Sequence, residues 1–461
     1  MRRILGVSLL GVAGLLAAAC SGGGSGASSG SSSATTSTVK ATTTTVAVGA
    51  IPGTPAGSQL QWVLDHGATA TDTEISAHVT TAFAAAVPPD KFRSVQAQLG
   101  RLRVKAVRSS TATHLVAAVT PTAGAGLVVT IDVEAAASHR IASLLFTTDV
   151  AAAPSTWTAV DQRLARLAPR ASVFAAELAA DGTLTPVHSL DPEVSRPLGS
   201  AFKLYVLGAL IKAVKSGRIQ WDDELTITDA IKSLPTGQLQ DRPAGTKVTV
   251  EEAATLMISI SDNTAADLLA DRLGRPAIEA TLEPMGMGAD SQRRTEPFLT
   301  TGELFRLKWG PPGPLSGYAA ATVSGRERIL RALPSALPAV SAVNPDQPVG
   351  IDDAEWFASP AELARAQAWI DGQRDQPGLE PLAAILQTNP GVPFDHATWP
   401  TFAFKGGSEP GVVTLSWLLR RKDGHRFVLV IEASSTTGPV SADDAASIAV
   451  GAITLLAKAP G

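Results

Sequence analysis

A serine and a lysine stand three positions apart in the stretch 196–210, RPLGSAFKLYVLGAL. Residues three apart lie on one face of an α-helix, so Ser200 and Lys203 are neighbours if a helix begins near Gly199. The side chains that follow are apolar on all sides, which predicts a central, buried helix. Burial lowers the pKa of a lysine, and a neutral Lys203 could accept the proton of the Ser200 hydroxyl. The pair therefore indicates a serine nucleophile activated by a lysine base.

The same Ser-x-x-Lys pattern also has a purely structural interpretation. Serine is a frequent helix N-cap, and the long side chain of lysine can reach water from an apolar helix. Two further motifs favour chemistry: SDN at 261–263, at a junction of two predicted helices, and KGG at 405–407, on a predicted strand. Each alone is ambiguous, because Ser, Asp and Asn are all good N-caps and glycine often marks a kink in a strand.

In combination, the three motifs resemble those of the penicillin-recognising serine hydrolases: class A β-lactamases, penicillin-binding proteins and related esterases. The resemblance covers about 169–459, with GSAFKLYVLGAL similar to the nucleophile helix, MISISDNTAADLL to the second motif and FKGGSEPG to the third. It implies a β-lactamase/transpeptidase-like domain of the α+β class, in which helices flank an antiparallel sheet and form a helical subdomain.

The resemblance implies catalytic roles for four residues. Ser200 would be the acylated nucleophile, and Lys203 would activate it. Ser261 would relay a proton to the leaving group. Lys405 would hold the negative end of the substrate and tune Ser261.

The resemblance also implies substrate-binding roles. Asn263 would contact the substrate amide and the lysine base. Gly406 and Gly407 would let the substrate approach the strand closely, because glycine has no side chain. The oxyanion would lie between the backbone N–H groups of Ser200 and Ser408.

Two departures from the family pattern bear on activity. Gly406 stands where the family usually has Ser or Thr, so a usual contact to a β-lactam carboxylate is missing. The stretch 294–300, RTEPFLT, resembles the class A pattern R-x-E-P-x-L-N, with Thr300 in place of the final Asn. The following TTGELFRL resembles a helix start that comes many residues later in the family, so most of the loop would be deleted. Glu296 is then either a deacylation base or a solvated turn glutamate.

These features predict a serine hydrolase that forms an acyl-enzyme with an ester, an amide or a β-lactam. Without a placed deacylation base, water attacks the acyl-enzyme slowly, so we expect a weak β-lactamase. The alternative is a binding module that holds a cell-wall fragment or a β-lactam without turnover.

A smaller α+β domain is predicted ahead of the hydrolase domain, over 58–152. Three helical stretches (59–66, 72–87 and 88–102) precede four strand-like runs (103–110, 113–121, 126–136 and 140–150). The layout is similar to β-lactamase-like esterases of clavulanate gene clusters, which put a steroid-isomerase-like domain first. Asp132, Glu134 and His139 are expected to be solvated residues of strand faces and turns.

The hydrolase domain is predicted over 155–461. A helix at 158–167 and two strands about an Asp-Gly turn precede the nucleophile helix. Thr249 and Glu252 predict a capping box, as do Ser359 and Glu362 within a long insertion at about 307–399. Trp356 and the neighbouring phenylalanine are expected in the core, or alternatively in the wall of the cleft.

The N-terminus predicts export. Residues 1–20 combine arginines, an apolar run and small residues, which is typical of a signal peptide. Cys20 is the single cysteine of the chain and resembles the lipidation site of a bacterial lipobox. Residues 21–57 are rich in Gly, Ser and Thr and predict a flexible tether. We therefore expect a palmitate-bearing lipoprotein on the outer face of the cell membrane.

Composition limits the partners. The 461-residue chain has a net charge of −4, so no basic field favours nucleic acid. The seven histidines never cluster at ligand spacing, and no phosphate-binding glycine loop stands out, so we expect no metal and no cofactor. The membrane would be contacted only through the lipid, and we expect a monomer with a small-molecule substrate.

Overall fold

The computed structural model describes residues 50–121, 126–149, 152–310 and 314–460. The predicted signal peptide, Cys20 and residues 21–49 of the predicted tether lie outside the described residues. The chain divides into two compact units, Met1–Val150 and Ala151–Gly461. Within the described ranges, no helix is both long and apolar enough to cross a bilayer.

The first unit packs short helices against one antiparallel sheet. Its helices are α1 (Pro55–His66), α2 (Asp72–His78), α3 (Thr81–Ala86) and α4 (Pro89–Leu99). Its strands are β1 (Leu102–Ser110), β2 (His114–Pro121), β3 (Leu127–Val133) and β4 (Ile141–Thr148), joined as a meander in the order β1-β2-β3-β4. Helices first and four strands after is the arrangement that the sequence predicts.

Two boundaries in this unit differ from the prediction. The helix α1 starts at Pro55, inside the predicted tether, because the Thr54 side chain accepts a hydrogen bond from the backbone of Gly57 and proline suits the first helical turn. The predicted helix 72–87 is broken into α2 and α3. Val79 forms an isolated β-bridge with Ile141 at the break, and Thr80 caps the second helix.

The three polar residues expected on strand faces and turns of this unit make local contacts. Asp132 Oδ1 lies 2.7 Å from His114 Nδ1 on the neighbouring strand. Glu134 accepts hydrogen bonds from Ser138 and Arg140 across the turn between β3 and β4. The first of these contacts links β2 to β3, and the others hold the turn between β3 and β4.

The second unit has helices on both faces of a five-stranded sheet. Its helices are α5 (Trp157–Leu167), α6 (Lys203–Lys215), α7 (Val250–Ser259), α8 (Asn263–Leu273), α9 (Arg275–Leu282), α10 (Ala289–Thr295), α11 (Thr301–Trp309), α12 (Pro314–Ala320), α13 (Val323–Arg331), α14 (Pro360–Asp371), α15 (Leu382–Gln387) and α16 (Ala442–Leu456). Its strands are β5 (Arg170–Leu178), β6 (Leu184–Leu190), β7 (Arg196–Pro197), β8 (Glu224–Thr226), β9 (Lys247–Thr249), β10 (Phe357–Ala358), β11 (Thr401–Glu409), β12 (Val412–Arg420) and β13 (Arg426–Ser434).

The main sheet has the order β11-β12-β13-β5-β6, and every neighbouring pair is antiparallel. One face packs against α5 and α16, and the other packs against the helical region around α6. The early strand β5 therefore pairs with the last strand, β13. The strand β11 lies at the sheet edge, where its backbone contacts the turn that precedes α6.

The helix α6 is central, as its apolar sequence predicts. Every residue from 203 to 211 is buried. The helix does not begin at Ser200, however. A 3-10 turn, Gly199–Phe202, precedes it, so Ser200 lies in a tight turn that leads into the α-helix.

The predicted helix caps are confirmed in one case and half-formed in the other. Ser359 and Glu362 form the complete capping box of α14. The Thr249 side chain caps α7, but the Glu252 carboxylate turns away and pairs with Arg242 at 2.8 Å.

Trp356 and Phe357 belong to the core, which confirms the first of the two interpretations of this pair. Their exposed fractions are 2% and 1%. The Trp356 ring stacks on Phe202 with a centroid separation of 3.6 Å and an interplanar angle of 15°. This stacking ties the segment before α14 to the turn that carries Ser200.

Candidate active site

The Ser200 turn is held by its flanking backbone. The strand β7 precedes it and pairs with β10, and the Leu198 N–H donates to the Trp356 carbonyl at 2.9 Å. Gly199 has a φ of 49°, a left-handed conformation that glycine adopts without strain. The turn leaves Ser200 half-buried at the start of the helix.

Lys203 lies next to Ser200 and is surrounded by oxygen atoms. Its Nζ is 3.2 Å from Ser200 Oγ, 3.1 Å from Ser261 Oγ, 2.6 Å from the Ser261 carbonyl and 2.6 Å from Asn263 Oδ1. The side chain is completely buried, and burial lowers the pKa of Lys203 to about 7. A substantial neutral fraction is therefore present near neutral pH, and its lone pair can accept the Ser200 proton.

Asp262 holds the SDN motif in place by accepting hydrogen bonds from two separate backbone segments. Its carboxylate caps α8 at the N–H of Ala265 and also accepts from the N–H groups of Gln238 and Leu239. Ser261 has a φ of 59°, which is uncommon for a residue with a side chain. The chain reverses there, and this brings the Ser261 hydroxyl to the lysine.

Asn263 connects the lysine to the opposite wall. Its Oδ1 accepts from Lys203, and its Nδ2 donates to the Leu234 carbonyl at 3.0 Å. Thr236 donates to the Ser261 carbonyl at 2.8 Å. Both contacts fix the orientation of the second motif against the loop that precedes α7.

The third motif lies on the edge strand β11. The Lys405 side chain is 2% exposed, and its Nζ donates to Ser261 Oγ at 3.0 Å and to the Gly406 carbonyl. Burial, and then the charge of Lys203, lower the pKa of Lys405 well below its usual value. Ser261 Oγ thus lies between two buried amines and can pass a proton between them.

The backbone of β11 touches the Ser200 turn. A Cβ atom on Gly407 would lie 2.1 Å from the Leu198 carbonyl oxygen and 2.7 Å from the Ser200 nitrogen. A Cβ atom on Gly199 would lie 3.0 Å from the Ser408 nitrogen. The backbone segments that carry the N–H groups of Ser200 and Ser408 are therefore in close contact.

At Gly406, a phenylalanine ring lies close to the position that a side chain would take. The Phe404 Cζ atom lies 3.0 Å from the position of an added Cβ. The third motif therefore presents an amine and backbone groups but no hydroxyl.

Glu296 lies between α10 and α11 and is half-buried. Its carbonyl accepts from Arg326 Nη1 at 2.9 Å. Among the described residues, no hydrogen bond or ion pair joins its carboxylate to Ser200 or Lys203. Thr300, in place of the family's Asn, caps α11 in a complete capping box with Glu303. The structure thus gives this segment a helix-starting role.

Asp267 is a site residue that the sequence analysis missed. It lies one turn after Asn263 on α8, and its carboxylate accepts from the N–H groups of Thr301 and Gly302 at 2.8 and 2.9 Å. Burial raises the pKa of Asp267 to about 6, and its charge acts on Lys203. The spacing of four residues from Asn263 was the available signal.

No metal site is evident in the part of the chain that the structure describes, since no three or more His, Cys, Asp or Glu side chains group there. The chemistry available is that of a serine nucleophile, two buried amines and backbone N–H groups.

Two family models match the chain. Residues 159–327 match the Beta-lactamase enzyme family, a range that includes Ser200, Lys203, Ser261 and Asn263 and ends before Lys405. Residues 51–138 match the model described as ORF 12 gene product N-terminal. No curated protein matches significantly.

Several solved structures are similar to this chain. A β-lactamase from Sphaerobacter thermophilus DSM 20745 is 21% identical, with 66% of this chain and 99% of that chain covered and a TM-score of 0.47. A β-lactamase from Chitinophaga pinensis DSM 2588 is 16% identical, with coverages of 66% and 98% and a TM-score of 0.46. PBP-A is 19% identical, with coverages of 67% and 100% and a TM-score of 0.43.

The match to the family model and the three motifs joined by hydrogen bonds together identify the second unit. It is a β-lactamase-like domain of the penicillin-recognising serine hydrolase superfamily.

Proposed function

We propose that this protein is a serine hydrolase that forms an acyl-enzyme on Ser200 with an ester, an amide or a β-lactam. The observation that carries the proposal is the contact of 3.2 Å between Lys203 Nζ and Ser200 Oγ, made by a lysine that is fully buried. A buried amine with a pKa of about 7 is suited to general base catalysis near neutral pH.

Acylation follows from the arrangement of these groups. The Ser200 oxygen attacks the substrate carbonyl while its proton passes to Lys203 Nζ. The negative charge that develops on the carbonyl oxygen is stabilised by the N–H groups of Ser200 and Ser408. The proton then moves through Ser261 Oγ, which lies 3.1 Å from Lys203 Nζ, to the departing atom as its bond to the carbonyl carbon breaks.

Deacylation has weaker support. A water molecule must attack the acyl carbon, and the groups available to take its proton are Lys203 and Ser261. Glu296 forms no hydrogen bond or ion pair with either of them, and the Asp267 carboxylate accepts from two backbone N–H groups. We therefore expect a long-lived acyl-enzyme with β-lactams and weak β-lactamase turnover.

A lipid anchor is part of the same proposal. Its support is the sequence of residues 1–20 and the single Cys20. The protein would be held on the outer face of the cell membrane by palmitate, with its substrate in the envelope. Incorporation of labelled palmitate into the chain, and its loss in Cys20→Ala, tests this; unlabelled wild-type protein in the soluble fraction would contradict it.

A non-catalytic or slow-release binding module is the second candidate. It is favoured by Gly406, where the third motif lacks a hydroxyl. It is also favoured because no carboxylate of the described residues is hydrogen-bonded to Lys203. The intact set of Ser200, Lys203, Ser261 and Lys405, all joined by hydrogen bonds, favours catalysis.

Intact-protein mass spectrometry distinguishes the two. The purified protein is mixed with a penicillin, a cephalosporin and a small activated ester, with Ser200→Ala in parallel, and product is measured in the same samples. An adduct on the wild type alone establishes the acyl-enzyme, and product beyond one equivalent establishes turnover. The absence of both adduct and product would support the binding module. Turnover by Ser200→Ala would contradict the mechanism.

A further inference from the structure

A buried ionic cluster lies behind the Ser200 turn, outside the three motifs. Lys308 Nζ donates to Glu355 Oε1 at 2.9 Å and to Glu409 Oε1 at 2.6 Å. The side chains of Lys308 and Glu355 are fully buried, and that of Glu409 is 11% exposed. We refer to Lys308, Glu355 and Glu409 as the ionic triad.

The ionic triad reaches both backbone segments that form the oxyanion site. Glu355 Oε2 accepts a hydrogen bond from the Gly199 N–H at 3.3 Å, directly before Ser200. Glu409 directly follows Ser408 on β11. Lys308, at the end of α11, joins the two carboxyl groups and thereby joins the two segments.

The charges of the triad are compatible with burial only as a set. Burial disfavours the ammonium of Lys308, but the charges of Glu355 and Glu409 outweigh it and raise its pKa. Burial and the neighbouring Glu355 raise the pKa of Glu409 well above its usual value.

Stability alone is a poor reason for such a cluster. Replacing a buried ionic group by well-packed apolar side chains is often neutral or stabilising, whereas hydrogen bonds to charged groups fix direction as well as distance. Here the hydrogen bond to Glu355 fixes the direction of the Gly199 N–H. The next N–H along the chain, that of Ser200, would bind the oxyanion.

We propose that the ionic triad is a positioning device that sets the separation of the Ser200 and Ser408 N–H groups, an inference that rests on the proposed function. Lys308, Glu355 and Glu409 are positioning residues, since none of their side-chain hydrogen bonds goes to a side chain of the catalytic set. Glu355 aligns the Ser200 turn through its bond to the Gly199 N–H. Lys308 links the two segments by donating to both carboxyl groups, and Glu409 fixes the end of β11.

The test measures acylation by a chromogenic cephalosporin and a small activated ester in single turnovers. Lys308→Met should lower the acylation rate constant at saturating probe by ten- to a hundredfold, somewhat less than the loss of a whole oxyanion donor. The probe concentration at half-saturation should stay the same.

A matched control separates positioning from general destabilisation. Asp371 is a buried carboxylate of the same unit that accepts from Arg420 and Arg426 and contacts none of the active-site residues. Asp371→Asn should lower the unfolding temperature without lowering the acylation rate constant. Equal acylation by folded Lys308→Met and wild type would overturn the inference.

A readout that does not need turnover keeps the two proposals separate. Hydrogen–deuterium exchange of the peptide that includes Gly199 should be faster in Lys308→Met and Glu355→Gln than in wild type and Asp371→Asn. If wild type forms no adduct but this exchange increases, the proposed function fails and the structural coupling stands. Unchanged exchange in both variants contradicts the coupling. If Lys308→Met does not fold, Glu355→Gln takes its place in both assays.

Discussion

The Nζ atom of Lys203 lies 3.2 Å from the Oγ atom of Ser200, in a helix whose other side chains are apolar in almost every direction. Water cannot stabilise the ammonium there, so burial in this helix favours the neutral amine, which is the form that acts as a base.

The acylation rate constant should increase with pH around an apparent pKa near 7. Lys203 is inactive as a base when protonated, and burial lowers its pKa to about 7, so activity is gained as the pH rises through that value. Lys203→Ala should reduce acylation by about 10²- to 10⁴-fold, the usual contribution of a general base, and flatten the profile. Lys203→Arg, which keeps a charge, serves as the control. A flat wild-type profile in stopped-flow measurements would exclude the lysine as the base.

Ser261→Ala and Ser261→Gly should both lose acylation, because each removes the hydroxyl between Lys203 and Lys405. Their stabilities should differ. The φ of 59° costs a residue with a side chain about 1–2 kcal/mol, whereas glycine adopts it freely. Chemical denaturation should therefore find the glycine variant more stable than the alanine variant. Equal stabilities would argue against strain at this residue.

Gly407→Ala should strongly reduce acylation and lower the unfolding temperature. Its Cβ would be 2.1 Å from the Leu198 carbonyl oxygen and 2.7 Å from the Ser200 nitrogen, so β11 must move away from the Ser200 turn. Gly438→Ala is the matched control, since an added Cβ there meets no atom within 4 Å. Single-turnover acylation and thermal unfolding are measured on both. Normal acylation by Gly407→Ala would contradict the close contact.

Glu296→Gln should leave the lifetime of a penicillin adduct unchanged. The Glu296 carboxylate forms no hydrogen bond or ion pair with Lys203 or Ser200, so removing its charge should remove no base. The adduct is followed by mass spectrometry after excess penicillin is removed, beside wild type. A lifetime that becomes several-fold longer would identify Glu296 as the deacylation base.

Glu409→Gln should change how stability depends on pH. The folded-state pKa of Glu409 is raised, so its contribution to stability is present at low pH and is lost as the pH rises through that pKa. The variant has no such loss, and its free energy of unfolding relative to wild type should increase with pH. Lys308 and Glu355 face Glu409 in both proteins, so the difference isolates one proton. Parallel curves from urea unfolding would refute the assignment.

The residues of the three motifs could be predicted because local spacing carries the signal. Ser200 and Lys203 share a helix face, and Asp262 caps the helix that it precedes. The separate motifs could be brought together only through the family resemblance, since no spacing rule relates the late Lys405 to the early Ser200. The structure shows all of them joined by hydrogen bonds.

Other features had no local signal. The ionic triad takes one residue each from α11, the segment before β10 and the end of β11, and nothing in the sequence near Lys308 indicates its partners. The break between α2 and α3 depends on a bridge from Val79 to the distant Ile141. In both cases a tertiary contact overrides or adds to what the neighbouring residues favour.

The pairing of β5 with β13 also determines when this domain can become active during its synthesis. The main sheet cannot close until the last strands exist, so a growing chain that already contains Ser200, Lys203 and Ser261 still lacks the second wall of its site. Contacts between segments so far apart in sequence slow folding. A truncated product that ends before β11 would therefore be inert even though it carries the nucleophile.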